Sequence, residues 1–144
     1  MSRALVIAYG NPLRGDDGVG WHVGERLEQA GIGAEIVCCQ QLTPELAERV
    51  CEASLVLFVD ASRDVAAGEI SERVVEAAAE APSRLSHACP PASLLALARL
   101  LNGASPRAYE IGIGIVDDAP GEHLSPAVAA ALPEVAARIR ALIA

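Results

Sequence analysis

Asp17, Asp60 and His87 are the residues of this chain whose types and positions best support chemistry. Asp17 lies in the glycine-rich segment 10–20, Asp60 follows the apolar run 55–59, and His87 precedes a predicted helix. Two carboxylates and one imidazole suit a borderline divalent ion such as zinc or nickel, and they leave coordination positions open for a substrate. The three residues therefore form a candidate metal-binding and catalytic site.

Each of these residues also has a plainer interpretation. Asp17 could be the N-cap of the helix that follows it, Asp60 a hydrogen-bonded strand end, and His87 an ordinary loop residue. Asp16 competes with Asp17 for the ligand role, because their spacing does not distinguish them. Cys89 lies two residues beyond His87 and could be an activated nucleophile, although a half-buried thiol at a helix start is the commoner case.

The elements that must position these residues alternate along the chain. Apolar runs predict strands over residues 4–9, 34–39, 55–59, 68–75 and 108–116. Val19, Val23 and Leu27 recur at helical spacing and predict a helix over 18–30. Thr43, as a capping residue, begins a second helix, and proline-led segments predict helices over 92–101 and from 125 to the last residue.

This alternation predicts one α/β domain over residues 1–144, with helices on both faces of a mostly parallel sheet. The strand over 68–75 follows residue 60 without an intervening helix, so it is expected to be antiparallel and to make the sheet mixed. Ligands of such sheets bind outside the carboxyl ends of the strands. Asp17 and Asp60 both follow strand ends, and the loop that carries His87 can reach the same edge.

Composition excludes several classes of function. The net charge of -8 argues against a nucleic-acid partner. The chain contains no lysine, which removes Schiff-base chemistry, a Walker nucleotide site and a phosphoacceptor receiver domain. The four cysteines lack metal-knuckle spacing, and no apolar stretch reaches the length of a membrane span or a signal sequence. We therefore expect a cytoplasmic protein with reduced thiols and no membrane partner.

Five ordered blocks resemble the nickel-iron hydrogenase maturation endopeptidases. The strongest is Gly-Asn-Pro-Leu-Arg-Gly-Asp-Asp-Gly-Val-Gly over residues 10–20; the others cover residues 41–47, 58–61, 86–87 and 121–126. The resemblance implies a three-layer α/β/α sandwich with a twisted, mostly parallel, mixed five-stranded sheet. It also implies an enzyme that removes the C-terminal extension of a hydrogenase large-subunit precursor after nickel insertion.

The resemblance assigns Asp17, Asp60 and His87 as the residues that contact nickel already held in the precursor. The metal would then be a recognition element of the substrate, and no organic cofactor is implied. A carboxylate pair could orient and deprotonate a water molecule while the metal polarises the scissile carbonyl. The sequence departs from the family pattern at Ala88 and Cys89, directly after the histidine. The alternative function is a non-catalytic metal-sensing or partner-binding α/β domain.

Overall fold

The computed structural model describes residues 3–81 and 89–144. This part of the chain forms five strands, four α-helices and two short 3-10 turns over Gly15–Gly18 and Pro44–Leu46. The strands are β1 Ala4–Tyr9, β2 Glu35–Cys39, β3 Leu55–Ser62, β4 Ile70–Val74 and β5 Arg107–Gly114. The helices are α1 Val19–Ala30, α2 Ala47–Glu52, α3 Pro91–Asn102 and α4 Pro126–Ile143.

The strands form one mixed sheet in the order β2-β1-β3-β5-β4. β1, β2, β3 and β5 are parallel, and β4 pairs antiparallel with β5. The predicted α/β fold, with a mostly parallel five-stranded sheet and an antiparallel strand after Asp60, is confirmed. β3 extends beyond the predicted end at residue 59 to Ser62, because β5 pairs with it through Ser62. Asp60 therefore lies inside the strand, near its carboxyl end.

Alternation along the strands divides the core into two layers, one on each face of the sheet. One face, including Val6 and Leu57, packs against α1 and α4. The other face, including Ile7 and Phe58, packs against α2 and α3. All four of these side chains are fully buried, which is why both neighbouring strands are continuous apolar runs.

The boundary between β1 and α1 differs from the prediction. α1 begins at Val19, its N-cap is Gly18, and Asp17 lies in the preceding 3-10 turn. The proposed capping role of Asp17 is therefore wrong, because its carboxylate instead accepts a hydrogen bond from the backbone of Asn11. Thr43 likewise precedes a 3-10 turn and makes no side-chain cap. None of the helices in residues 3–81 and 89–144 is long and apolar enough to cross a membrane.

Candidate active site

The segment between β1 and α1 folds back on itself, and glycine is required where it does so. Gly10 has a φ of 141°, and a Cβ atom there would overlap the carbonyl oxygen of Asp17. A Cβ atom at Gly18 would lie 2.7 Å from the Cα atom of Pro12. The resulting loop allows the amide of Asn11 to donate to Oδ2 of Asp17 at 2.9 Å. The glycine spacing thus fixes the Asp17 carboxylate beside the end of β1.

Trp21 ties this loop to the edge of the sheet. Its indole Nε1 donates to the carbonyl oxygen of Gly10, the residue after β1, at 2.9 Å and to that of Cys39, the last residue of β2, at 3.1 Å. Gly20, one residue earlier, approaches the carbonyls of Tyr9 and Val59 so closely that a Cβ atom there would lie 3.0 to 3.1 Å from them. The first turn of α1 therefore sits directly over the carboxyl ends of the strands.

Asp16 and Asp17, which the sequence could not tell apart, have different environments. Asp16 is 0% exposed and accepts four hydrogen bonds. The donors to Asp16 are the amides of Val116, Asp117 and Ser125, together with the hydroxyl of Ser125, at 2.7 to 3.1 Å. Burial alone would raise the pKa of Asp16, but these hydrogen bonds outweigh it and hold the pKa below its ordinary value. Asp16 is therefore a structural residue.

Asp60 reaches the same edge from β3. Burial raises its pKa to about 7, although the amide of Ala61 donates to its Oδ1 at 2.7 Å and opposes this rise. The negative charges of Asp17 and Glu110 contribute to the rise to about 7 as smaller causes than burial, and the Tyr9 hydroxyl opposes the rise. Asp17 follows β1, and Asp60 lies near the carboxyl end of β3, which pairs with β1. Both acids therefore lie at the carboxyl-end edge of the sheet, and their joint role as a site stays a prediction.

His87 lies in residues 82–88, outside the described residues, and its position relative to the two acids stays a prediction. In residues 3–81 and 89–144, no three His, Cys, Asp or Glu side chains are grouped so that they could hold a metal ion. A metal ion beside Asp17 and Asp60 therefore needs a further donor from residues 82–88 or from a substrate.

Cys89 does not have the environment of an activated nucleophile. Its amide donates to the carbonyl of Leu42 at 3.2 Å, and its side chain packs against the core that contains α3. Burial raises the pKa of the Cys89 thiol, which disfavours the reactive thiolate. The arrangement fits the commoner interpretation, a half-buried thiol at the start of a helix.

Tyr9 and Glu110 were missed by the sequence analysis. Ala8 of β1 pairs with Val59 of β3, so the next residues, Tyr9 and Asp60, are level on the same face. The Tyr9 hydroxyl and the Asp60 carboxylate therefore lie near each other, and each affects the pKa of the other. Burial, and then the charge of Asp60, raise the pKa of Tyr9 above its ordinary value, so the hydroxyl remains a hydrogen-bond donor.

Glu110 lies on β5 and accepts a hydrogen bond from Nε of Arg73 on β4 at 2.7 Å. Its side chain is only 19% exposed, although it is charged and lies in the middle of a strand. A single acid inside the predicted strand over 108–116 was the signal that could have pointed to this position. Glu110 and Tyr9 thus flank Asp60 on its two neighbouring strands.

The arrangement is suited to proton transfer. Asp60, with a pKa of about 7, can both take and release a proton near neutral pH, which is what a general base and acid must do. Asp17 stays partly exposed beside it and can contact a bound molecule. Two neighbouring carboxylates with unequal environments are a common arrangement in hydrolytic enzymes.

Comparison with solved structures shows where else this fold occurs. No protein-family model matches the chain, and no curated protein sequence matches it significantly. The [NiFe] hydrogenase maturation protease HybD of Thermococcus kodakarensis is 23% identical with a TM-score of 0.76, over 97% of this chain and 98% of that one. The hydrogenase maturating endopeptidase HybD of E. coli is 23% identical with a TM-score of 0.74, over 95% and 89%.

A hydrogenase 2 maturation peptidase from a Thaumarchaeota archaeon has a TM-score of 0.74 at 21% identity, over 99% of this chain and 98% of that one. Identities in this range establish a shared fold. The fold that the sequence blocks implied is thereby confirmed across nearly the whole chain.

Proposed function

We propose that this chain is an endopeptidase that removes the C-terminal extension from the large-subunit precursor of a nickel-iron hydrogenase. The observation that carries the proposal is that Asp17 follows β1 while Asp60 lies near the carboxyl end of the adjacent strand β3, so both acids are at one edge of the sheet. It is supported by the fold, which solved hydrogenase maturation proteases share over 95% or more of this chain. The sequence blocks that contain Asp17, Asp60 and His87 favour the same activity.

Nickel enters this proposal as part of the substrate, and no organic cofactor is required. Asp17, Asp60 and His87 would contact nickel already inserted in the precursor, so that only a loaded precursor is cleaved. Carboxylate oxygens and an imidazole nitrogen are suitable donors for this ion. Both Asp17 and Asp60 are partly exposed, whereas Asp16 is buried and already accepts four hydrogen bonds. Asp17 is therefore the member of the acidic pair that can reach a substrate.

In the hydrolytic step we assign Asp60 as the general base. Its ionised carboxylate takes a proton from a water molecule as the water oxygen attacks the scissile carbonyl carbon. The C–N bond then breaks, and the proton passes from Asp60 to the leaving nitrogen, which departs as an amine. The substrate's nickel can polarise the carbonyl. Asp17 holds the metal-bearing part of the precursor beside Asp60, and its negative charge raises the proton affinity of Asp60.

We infer that the reaction takes place in the cytoplasm. The four cysteines Cys38, Cys39, Cys51 and Cys89 are all free thiols, which suits a reducing compartment. The nickel centre would be carried in by the precursor, so the purified protein should retain little metal after chelator treatment. Elemental analysis that found one zinc per chain would favour an intrinsic metallopeptidase instead.

The test is a processing assay with a nickel-loaded large-subunit precursor from the same organism, followed by mass measurement of its C-terminus. Asp17→Asn, Asp60→Asn and His87→Gln should each abolish cleavage while the far-UV circular dichroism spectrum is unchanged. Glu134→Gln, on the exposed side of α4 and paired only with Arg138 within the described structure, is the matched control and should cleave normally. Binding of the precursor without any change in its mass would favour the non-catalytic metal-sensing or partner-binding function.

A further inference from the structure

A groove of about 350 Å³ opens beside Asp60, on the side of β3 that faces away from β1. It lies over the carboxyl-end half of β5. Its lining comes from three places: residues 60–65 of β3 and the turn after it, Ser71 and Arg73 of β4, and Glu110 and Gly112 of β5. Asp60 thus belongs both to the candidate catalytic pair and to the wall of this groove.

Strand register explains why the groove exists. Asp60 pairs with Gly112, and Gly112 pairs with Ser71, so the three residues form one row across the sheet. The central member of the row has no side chain, and a Cβ atom at Gly112 would lie 2.6 Å from Oγ of Ser71 and 3.2 Å from Cβ of Ser62. Because Gly112 has no side chain, the space above β5 stays open between the side chains of β3 and β4.

The polar groups in the groove suit a polypeptide backbone. Ser62 and Ser71 present hydroxyls, and within residues 3–81 and 89–144 the hydroxyl of Ser71 makes one long contact, 3.5 Å to the carbonyl of Gly112. Hydroxyls can both donate to and accept from peptide groups. The groove is near the lower end of the size range of ligand pockets, so an extended chain can enter it but a folded body cannot.

The charges in the groove disfavour an acidic occupant. Its lining contains three carboxylates, those of Asp60, Asp64 and Glu110. Arg63 pairs with Asp118 at 2.9 Å, and Arg73 pairs with Glu110, so both arginines and one of the three carboxylates are engaged within the described residues. The carboxylates of Asp60 and Asp64 remain. A neutral or basic segment would therefore bind here more readily than an acidic one.

We propose that this groove binds the part of the precursor that is cut off, in an extended conformation, with the scissile bond at Asp60. The proposal rests on the proposed peptidase function. Asp17 lies on the β1 side of Asp60 and the groove on the β5 side, so the metal-bearing body and the removed segment occupy opposite sides of the same carboxylate. A neutral or basic extension would then cross Gly112 towards Ser71.

The test fills the groove without touching the catalytic pair. Ser71→Leu places a bulky side chain over Gly112, and Glu72→Leu places the same side chain on the opposite face of the same strand, as a matched control. With the nickel-loaded precursor as the probe, we expect Ser71→Leu to raise KM at least tenfold, and Glu72→Leu to leave KM within twofold of the wild type.

The possible outcomes distinguish a failure of the groove proposal from a failure of the peptidase proposal. Equal KM values for Ser71→Leu and the wild type would show that the groove does not bind the removed segment, while the peptidase function would stand. No cleavage by the wild type would overturn the peptidase function and, with it, the occupant assigned to the groove. If Ser71→Leu proves unstable in thermal unfolding, Ser71→Thr replaces it, and a KM increase of at least threefold with unchanged unfolding temperature supports the groove; an unchanged KM overturns it.

Discussion

Asp16→Asn should destabilise the protein, whereas Asp17→Asn should not, although the two residues are adjacent. Asp16 accepts hydrogen bonds through both carboxylate oxygens: Oδ1 from the amide of Ser125, and Oδ2 from the amides of Val116 and Asp117 and the hydroxyl of Ser125. An asparagine has only one acceptor oxygen, so its NH₂ group must face at least one backbone N–H donor.

The expected cost follows from these contacts. A hydrogen bond to a charged group contributes about 1.5 to 3 kcal/mol, and an unsatisfied buried donor costs about 1 to 3 kcal/mol. Losing one such bond and weakening the others should lower the free energy of unfolding by about 2 to 4 kcal/mol. For a chain of 144 residues this corresponds to a Tm lower by roughly 6 to 12 °C. Asp17→Asn changes only one partly buried hydrogen bond, which an asparagine oxygen can still accept, and should stay within about 1 kcal/mol of the wild type.

The stability difference should also depend on pH in one direction. Burial would raise the pKa of Asp16, but its hydrogen bonds dominate and hold the folded-state pKa below the unfolded value of 3.8. The stabilisation is therefore fully present above that value and is lost as pH falls through the lower folded-state pKa. The gap in stability between the wild type and Asp16→Asn should be constant from pH 5 to 8, within the usual working range, and should narrow below about pH 4.

Urea unfolding followed by circular dichroism at several pH values measures all of these quantities. Equal midpoints for the wild type and Asp16→Asn would refute the structural role of Asp16. An equal loss of stability in Asp17→Asn would show that the two acids share one role, as the sequence alone allowed.

Three further predictions concern the candidate site. The folded-state pKa of Asp60 is raised from 3.8 to about 7, so wild-type stability should fall as pH rises between these values, and Asp60→Asn should be more stable than the wild type at pH 8. The pKa shift corresponds to a loss of about 4 kcal/mol in the free energy of unfolding, and the partial exposure of Asp60 reduces this loss to roughly 2 kcal/mol. Urea titration of the metal-free protein measures it, and an Asp60→Asn variant less stable than the wild type at pH 8 would contradict the prediction. Gly10→Ala should abolish processing and lower the Tm, because its Cβ atom would overlap Asp17, whereas Gly33→Ala, also at positive φ but in open space, should cleave normally and cost about 1 kcal/mol. Cys89→Ala should still cleave the nickel-loaded precursor in the processing assay. An inactive Cys89→Ala variant would instead support the thiol as the catalytic nucleophile.

Much of the fold was determined by the sequence itself. The apolar runs 4–9 and 55–59 predicted the two central strands, because residues buried on both faces of a sheet must be apolar without alternation. The absence of a helix between Asp60 and the next strand predicted the antiparallel β4, since a parallel connection needs a longer crossover. The same reasoning placed Asp17 and Asp60 at one edge, because the carboxyl ends of parallel strands meet there.

Only the tertiary structure separated Asp16 from Asp17. The partners of Asp16 lie about 100 residues further along the chain, at Val116, Asp117 and Ser125, and no local pattern specifies such contacts. The N-cap assignment of Asp17 failed for a related reason. Its carboxylate is engaged by the loop at Asn11, a contact made by the backward fold of the glycine segment rather than by helix propensity.

Register across the sheet was the other feature that the sequence left open. Tyr9 beside Asp60, and Gly112 between Asp60 and Ser71, follow only from which residues pair on neighbouring strands. Apolar periodicity tells which face of a strand is buried, but it is unchanged when one strand slides past another by two residues. Packing of the whole sheet against its helices fixes that register, so the surroundings of Asp60 were decided by the fold and not by the residues next to it in sequence.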